Sequence, residues 1–175
     1  IKMNTKAIVK EYFGKHWTSR TSTYKYSSCE TIASKIATHE TVIDVGCGNN
    51  EFKPHIKHLT GIDIVNPAAD ICVDLDDYET DQLFDVALCL GIIQYGDEND
   101  MVRQIAKVTS LLKPSARIYW RSNMAVRDHK HEMVNIIPYY PWSIDEHYRF
   151  AEMFGWTIDF IDEDLYGRLY AEWQR

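Results

Sequence analysis

Residues 42–50 read VIDVGCGNN, an apolar strand that runs directly into a glycine-rich turn. The β-branched, apolar run at 41–45 predicts a buried strand with Asp44 near its carboxyl end. Gly46 and Gly48 allow the backbone to turn tightly and to approach a ligand closely. The first N–H groups of a following helix would face an acceptor such as a carboxylate. The stretch therefore predicts a ligand site at the carboxyl end of a central strand.

Short apolar runs recur along the rest of the chain and alternate with helical patterns. The predicted strands are 41–45, 60–65, 70–75, 84–90 and 116–121, with a final pair at 156–161 and 165–173. The predicted intervening helices are 51–58 and 98–112. Continuous apolar runs are typical of strands covered on both faces, and the tight Asp-Glu-Asp link between the last two predicts an antiparallel hairpin. The pattern indicates an α/β fold with a doubly wound, mostly parallel sheet.

Helical patterns also precede the first strand and the hairpin. Apolar residues recur at helical spacing within 5–15. Ser27 and Glu30 are three residues apart and predict a capping box that opens a second helix. Ser143 and Glu146 predict a similar box before the hairpin.

Length and charge limit the classes of protein that this chain can represent. Its 175 residues and 20.4 kDa predict one domain over 1–175, with an N-terminal helical lid at 1–39 and a Rossmann-like core at 40–175. A net charge of −7 disfavours binding to a nucleic-acid backbone. No apolar run is long enough to span a bilayer and no secretory signal is present, so we expect no membrane partner. No oligomeric state follows from the sequence.

The cysteine pattern favours a reducing compartment. Cys29, Cys47, Cys72 and Cys89 form no CxxC pair, and three of them lie in apolar, strand-like runs. We expect free thiols and a cytoplasmic protein. The HKHE stretch at 129–132 is a polar loop without matching ligands elsewhere, so no metal site is expected.

Acidic residues lie at the ends of three successive predicted strands. Asp44 can bind an ammonium group. Asp63 lies 19 residues further on, at a place where a carboxylate accepts both hydroxyls of a ribose. Asp74 lies where the edge of an adenine ring would be. This arrangement suits a nucleoside that carries an ammonium tail and no phosphate. A dinucleotide site is disfavoured because Glu51 replaces the third glycine and would face a pyrophosphate.

Five motifs in order resemble class I S-adenosylmethionine-dependent methyltransferases, in the compact branch that acts on small molecules. Residues 44–48 (DVGCG) resemble the first motif, (D/E)-x-G-x-G, and residues 61–64 (GIDI) resemble the ribose-binding second motif. Residues 73–75 (VDL) match the adenine-proximal acid, and 84–91 resemble the fourth strand. Residues 111–119 resemble the turn into strand five.

The resemblance implies a seven-stranded sheet with an antiparallel C-terminal strand, and S-adenosylmethionine as the cofactor. The methionine end would lie at the glycine turn, the ribose and adenine at the second and third motifs, and the sulfonium above the end of the fourth strand. The implied cofactor-binding residues are Asp44, Gly46, Cys47, Gly48, Asp63, Ile64, Asp74, Leu75, Leu90 and Gly91. In related small methyltransferases a segment like 16–26 covers the methionine end, which implies contacts from Tyr24 and Arg20 to the methionine carboxylate.

Methyl transfer from a sulfonium needs mainly positioning, so no residue is compelled to be catalytic. Gln94 and Tyr95, after the fourth strand, and His16 are the candidates for orienting or deprotonating the acceptor. The amino-methylation signature of nucleobase enzymes is absent after that strand. The candidates for lining the acceptor pocket are Tyr95, Arg121, Tyr139, Tyr140 and Trp142.

The chain departs from the family pattern in two places. Asn50 replaces the third glycine of the turn, and Asn tolerates left-handed backbone geometry. The stretch between Ile64 and Asp70 is too short for a crossover helix, so we expect a more open adenine side and weaker cofactor binding. Cleavage of the cofactor, aminopropyl transfer from its decarboxylated form, and a non-catalytic binding module stay open as alternatives.

Overall fold

The strand predicted at 41–45 is present and lies third in a seven-stranded sheet. The computed structural model describes residues 4–18, 23–124 and 135–175. The strands are β1 (Thr41–Val45), β2 (His58–Asp63), β3 (Ile71–Cys72), β4 (Phe84–Leu90), β5 (Leu112–Asn123), β6 (Thr157–Glu163) and β7 (Arg168–Gln174). The helices are α1 (Thr5–Lys15), α2 (Cys29–Ala33), α3 (Glu98–Ser110) and α4 (Ile144–Met153), with a 3₁₀ turn at Leu75–Asp77.

The strand order is β3-β2-β1-β4-β5-β7-β6. Strands β1 to β5 pair in parallel, whereas β7 lies antiparallel between β5 and β6. The predicted Rossmann-like sheet with an antiparallel C-terminal strand is confirmed. Because the chain adds strands on one side of β1 and then continues at β4 on the other, the carboxyl ends of β1 and β4 border a crevice where ligands bind in such folds.

Alternation along the strands divides the side chains between the two faces of the sheet. Trp120 and Trp173 belong to a core that includes buried residues of α3 and α4. On the opposite face, Val42, Leu88 and Tyr119 pack with Ile32 of α2. Every second residue of a strand shares a face, so the side chains of Asp44, Leu90 and Arg121 lie on the α2 face at the carboxyl edge of the sheet.

Three predicted elements differ from the structure. Residues 51–55 form turns instead of a helix, because Pro54 supplies no N–H donor and β2 begins only a few residues later. Strand β3 is two residues long, because the Asp74 carboxylate accepts from the Asp76 N–H and starts the 3₁₀ turn. Strand β5 begins at Leu112, and its irregular register opposite β4 accommodates Pro114 inside the strand.

The residue that caps α2 also differs from the prediction. Ser28 caps the helix through the Thr31 N–H, whereas the Ser27 hydroxyl donates to Asp164 at 2.6 Å. A buried carboxylate distant in sequence therefore takes the hydroxyl that the capping-box pattern assigned to the helix. At α4 the predicted cap is present, since Ser143 accepts from the Glu146 N–H. In the part of the chain that the structure describes, no helix combines the length and apolar character needed to cross a membrane.

Candidate active site

The residues predicted to bind a cofactor meet at the carboxyl edge of the sheet, around two adjoining cavities of about 480 and 510 Å³. The first lies over β1, β4 and β5, and the predicted residues that line it are Asp44, Gly46, Cys47, Gly48, Asp63, Ile64, Leu90, Gly91, Tyr24, Gln94, Tyr95 and Arg121. The second lies over β2 and β3 and is lined by Asp74 and Leu75. Gly46, Asp63, Ile64 and Ile92 border both cavities, so one extended ligand can occupy the two.

The glycine turn uses left-handed backbone at three positions. Gly46, Gly48 and Asn50 have φ of 68°, 54° and 58°, so the predicted tolerance of Asn50 for this geometry is confirmed. A Cβ on Gly46 would lie 2.4 Å from Cγ1 of Ile92. The missing side chain therefore keeps the floor between the two cavities clear.

Asp63 holds the glycine turn in place. Its Oδ2 accepts from the Gly48 N–H at 3.1 Å, and its Oδ1 accepts from the N–H groups of Val65 at 3.0 Å and Asn66 at 2.8 Å. These bonds fix the carboxylate at the end of β2, on the border of both cavities. Carboxylate oxygens have lone pairs beyond those used by these donors, so the group can still accept ribose hydroxyls.

Asp44 is a buried carboxylate that lacks a full set of partners. It is 3% exposed, and its Oδ2 is sealed from solvent without a hydrogen bond. Burial raises the pKa of Asp44 to about 7, against an opposing effect of Arg121. Such a group gains most from a ligand that brings a positive charge or N–H donors into the cavity.

Arg121 faces the same cavity from the end of β5. Its Nη1 donates to the Ser27 hydroxyl at 3.1 Å and its Nη2 to the Leu90 carbonyl at 3.2 Å. The Tyr24 ring covers the guanidinium, with its centroid 4.0 Å from Cζ of Arg121. Tyr24 therefore lines the cavity and also packs on Arg121.

Helix α1 lines the second cavity, beside the stretch that was too short for a crossover helix. Lys6 of α1 pairs with Asp74 at 3.1 Å and with Asp76 at 2.6 Å. Asn4, Thr5 and Val9 also line the second cavity. The N-terminal segment was predicted to be a lid, but its contact with this second cavity was not predicted.

The N-terminal segment also reaches the glycine turn. A Cβ on Gly48 would lie 3.2 Å from Cη2 of Trp17, so the indole packs directly on the turn. Phe13 continues this aromatic wall, with its ring centroid 6.1 Å from that of Trp17 and 5.4 Å from that of Tyr95. Trp17 belongs to the loop at 16–26, where no separate role was predicted for it, and Ile92 belongs to the stretch 90–92 that the resemblance placed beneath the sulfonium. Arg168 was not predicted from the sequence.

The candidates for catalysis and acceptor binding occupy different surroundings. Gln94 is held on both sides, since its Nε2 donates to the Gly91 carbonyl at 3.0 Å and its Oε1 accepts from the Asn123 N–H at 3.0 Å. Burial raises the pKa of Tyr95 well above its usual value, which disfavours a role as a base. His16 caps the C-terminal end of α1 and is exposed. Arg20 lies outside the described residues.

The aromatic residues proposed to surround the acceptor lie mainly behind the cavity. Trp142 is 1% exposed and donates from Nε1 to the Ile93 carbonyl at 2.8 Å, so its ring fills the core and does not face the cavity. Tyr140 donates to Glu146 at 2.6 Å. Tyr139 packs on Tyr95 with ring centroids 5.1 Å apart. Among these residues, Tyr95 and Arg121 are the ones that reach the cavity.

Metal ligands are not grouped in the described part of the chain. Residues 4–18, 23–124 and 135–175 contain no group of three or more His, Cys, Asp or Glu side chains placed to hold a metal ion. The HKHE stretch at 129–132 lies outside those ranges.

Three solved structures with a similar fold are methyltransferases. No protein-family model and no curated protein sequence matches the chain. The N-methyltransferase NodS from Bradyrhizobium japonicum WM9, in complex with S-adenosylhomocysteine, is 16% identical with a TM-score of 0.70, over 99% of each chain. Magnesium protoporphyrin IX methyltransferase (ChlM) from Synechocystis PCC 6803, with bound S-adenosylhomocysteine, is 13% identical with a TM-score of 0.74, over 98% of this chain and 100% of that one.

A third similar structure is the 1,6-didemethyltoxoflavin-N1-methyltransferase from Burkholderia thailandensis. It is 14% identical with a TM-score of 0.67, over 86% of this chain and 79% of that one. At such identities the likeness concerns the fold. The chain has the Rossmann-like fold of class I S-adenosylmethionine-dependent methyltransferases.

Proposed function

We propose that this protein is an S-adenosylmethionine-dependent methyltransferase that acts on a small-molecule acceptor. The observation that carries the proposal is the unpartnered Oδ2 of Asp44, which is buried in a cavity shared with the glycine turn and Asp63. A carboxylate left without donors at this place fits the ammonium group of the cofactor. Solved structures of similar fold contain S-adenosylmethionine or S-adenosylhomocysteine, which supports the same cofactor here.

The residues of the chain divide the proposed cofactor between the two cavities. Asp44, Gly46, Cys47 and Gly48 surround the methionine end, and Asp63 accepts the ribose hydroxyls. Ile64 and Leu75 enclose the adenine ring, with Asp74 beside its amine. Leu90 and Gly91 form the floor below the sulfonium. The proposed contacts follow from the lining of the cavities and from the order of the strand ends.

The proposed chemistry is an in-line displacement. The bound cofactor supplies an activated methyl group, so the protein has to position the acceptor and exclude water. Val9 and Trp17 cover the sites from the N-terminal side, and we propose that the segment up to residue 39 acts as a lid on the core. In this scheme Gln94 and Tyr95 orient the segment that follows β4. If the acceptor has to lose a proton, solvent or a basic group of the acceptor itself takes it.

A small acceptor fits the size of the two cavities, about 480 and 510 Å³, which the cofactor would also have to share. Residues of α1 line the second cavity, and Tyr24, Tyr95 and Arg121 line the first. The net charge of −7 disfavours a nucleic-acid acceptor. The four cysteines are unpaired, which is consistent with the proposed cytoplasmic location.

Calorimetric titration with S-adenosylmethionine and S-adenosylhomocysteine tests the cofactor. We expect the wild type to bind both and Asp63→Ala to bind each at least about 10-fold more weakly, since charge-assisted hydrogen bonds contribute about 1.5–3 kcal/mol. Asp159→Ala, on the exposed face of β6, is the matched control. No binding by the wild type would exclude the cofactor assignment.

Incubation of the protein with S-adenosylmethionine alone separates the alternative reactions. Release of methylthioadenosine or homoserine lactone would indicate cleavage of the cofactor. A methylated product after addition of a small-molecule library supports the transferase. Binding without any turnover, over the same library, would indicate a non-catalytic module.

A further inference from the structure

Arg121 is a cation in the first cavity whose charge is not directly neutralised. All its hydrogen bonds go to uncharged oxygens, one in the Ser27 hydroxyl and one in the Leu90 carbonyl. Asp164 reaches it only through Ser27, by accepting the hydroxyl proton at 2.6 Å. No carboxylate of the described residues forms an ion pair with Arg121 within 4.0 Å.

Three of the five N–H groups of the Arg121 guanidinium, including the one on Nε, have no acceptor among the residues that the structure describes. A guanidinium has five N–H groups, and the two bonds to protein use one on Nη1 and one on Nη2. The Nε atom is buried without an acceptor. Such an orphaned donor costs free energy unless a ligand satisfies it.

Gly91 lies beside the Nε–Nη2 edge of the guanidinium and brings no side chain against it. A Cβ at Gly91 would lie 3.5 Å from Nη2 and 3.7 Å from Nε of Arg121, and Gly91 itself lines the cavity. Tyr24 packs on a flat face of the guanidinium, which leaves its edges for polar contacts. Two parallel N–H groups on the Nε–Nη2 edge match the two oxygens of a carboxylate.

We propose that Arg121 binds a carboxylate through its Nε–Nη2 edge, and that this is the carboxylate at the amino-acid end of the cofactor. The inference rests on the proposed function. The contact with the carboxylate, which the sequence implied for Arg20, is thereby assigned to Arg121. Arg121 belongs to strand β5 and is held in place by Tyr24 and Ser27.

The neighbouring orphan group indicates which carboxylate is bound. Asp44 and Arg121 lie on the same face of the sheet, with β4 between their strands, and both line the first cavity. Oδ2 of Asp44 is a buried acceptor without a donor, and Nε of Arg121 is a buried donor without an acceptor. An α-amino acid end carries an ammonium and a carboxylate a few bonds apart, so it satisfies both. A carboxylate on the acceptor would satisfy Arg121 alone.

The test compares two nucleosides that differ at this end. S-adenosylhomocysteine has the amino-acid group, and 5′-methylthioadenosine lacks it. In Arg121→Gln we expect the Kd of S-adenosylhomocysteine to rise about 10- to 100-fold, because charge-assisted bonds are lost, while the Kd of methylthioadenosine stays within twofold. Arg121→Lys restores part of the loss. Arg117→Gln, four residues earlier on β5 and ion-paired with Glu40, is the matched control for loss of an arginine.

Other outcomes separate the sources of the carboxylate and the failures. If Arg121→Gln binds both nucleosides like the wild type, benzoate is titrated into the complex with S-adenosylhomocysteine. Benzoate binding that Arg121→Gln abolishes would assign the carboxylate to the acceptor, and no such binding would overturn the site. An equal loss for both nucleosides would show a structural role for Arg121 and also overturn it. If the wild type binds neither nucleoside, the proposed function itself fails.

Discussion

Gly46 combines two constraints at one position of the glycine turn. Its φ of 68° lies in the left-handed region, and a Cβ would lie 2.4 Å from Cγ1 and 2.6 Å from Cδ1 of Ile92. Ile92 borders both cavities, so any movement that relieves this contact changes the shape of the site. The residue type is therefore set both by the backbone and by the ligand space.

We predict that Gly46→Ala destabilises the protein and removes cofactor binding. Left-handed strain costs roughly 1–2 kcal/mol, and displacement of Ile92 adds about 1–3 kcal/mol. Gly155→Ala is the matched control, because Gly155 also has a positive φ, 74°, but open space around its Cβ. Urea unfolding and S-adenosylhomocysteine titration measure both effects. Equal destabilisation by the two variants, with binding retained, would contradict the predicted contact.

At the scale of elements, the sequence predicted the strands and helices that are marked by a regular spacing of apolar residues. Strands β1 and β4 and helix α1 have the predicted bounds, and the hairpin of β6 and β7 differs by a few residues. Some differences have local causes, such as Pro54 and the Asp74 cap, and one has a distant cause. Ser27 does not cap α2 because its hydroxyl donates a hydrogen bond to Asp164, 137 residues away.

The same distinction applies to the site. Asp44 and Asp63 were predictable because each ends a strand in a recognised motif. Lys6 and Trp17 come from a segment whose docking position no short pattern encodes. Arg121 was predicted to line a pocket, but its buried Nε without an acceptor could only be seen in the structure.

We predict that Lys6 contributes to the docking of α1 beside the second cavity. Lys6→Ala removes its ion pairs with Asp74 and Asp76, and because the lysine side chain is 41% exposed the cost is at most about 1 kcal/mol. The amide hydrogens of α1 should then exchange faster, by up to about fivefold, and S-adenosylhomocysteine should bind more weakly. Lys10→Ala, on the exposed side of the same helix, should change neither. Unchanged exchange in Lys6→Ala would mean that Ile8, Val9 and Tyr12 hold the helix without it.

At the scale of the whole molecule, two buried groups oppose each other in the pH dependence of stability. Burial raises the pKa of Asp44 to about 7 and lowers the pKa of His147 to about 3. In the unfolded chain the corresponding values are about 3.9 and 6.5. Between pH 4 and 6.5 the folded state therefore keeps a proton on Asp44 that the unfolded state has lost, whereas the unfolded state binds one at His147 that the folded state excludes.

Asp44 and His147 change the free energy of unfolding with pH in opposite directions, each by about 1.4 kcal/mol per pH unit. Stability from Asp44 is present at low pH and is lost as pH rises from about 4 to 7. Stability from His147 is present above about pH 6.5 and is lost as pH falls toward 3. We predict that these two contributions nearly cancel between pH 5 and 6.5, so the free energy of unfolding of the wild type changes little there.

Single variants should expose each slope, as measured by urea unfolding at a series of pH values. Asp44→Asn removes the first contribution, so its stability should fall as pH decreases from 6.5 to 5, and at pH 8 it should exceed that of the wild type. His147→Gln, which keeps a polar partner for the Ser122 hydroxyl, should show the opposite slope. Asp44→Asn should also bind S-adenosylhomocysteine more weakly, since a neutral amide attracts an ammonium group less than a carboxylate does. If the free energy of unfolding depends on pH in the same way in the wild type and both variants, the predicted pKa shifts of Asp44 and His147 are wrong.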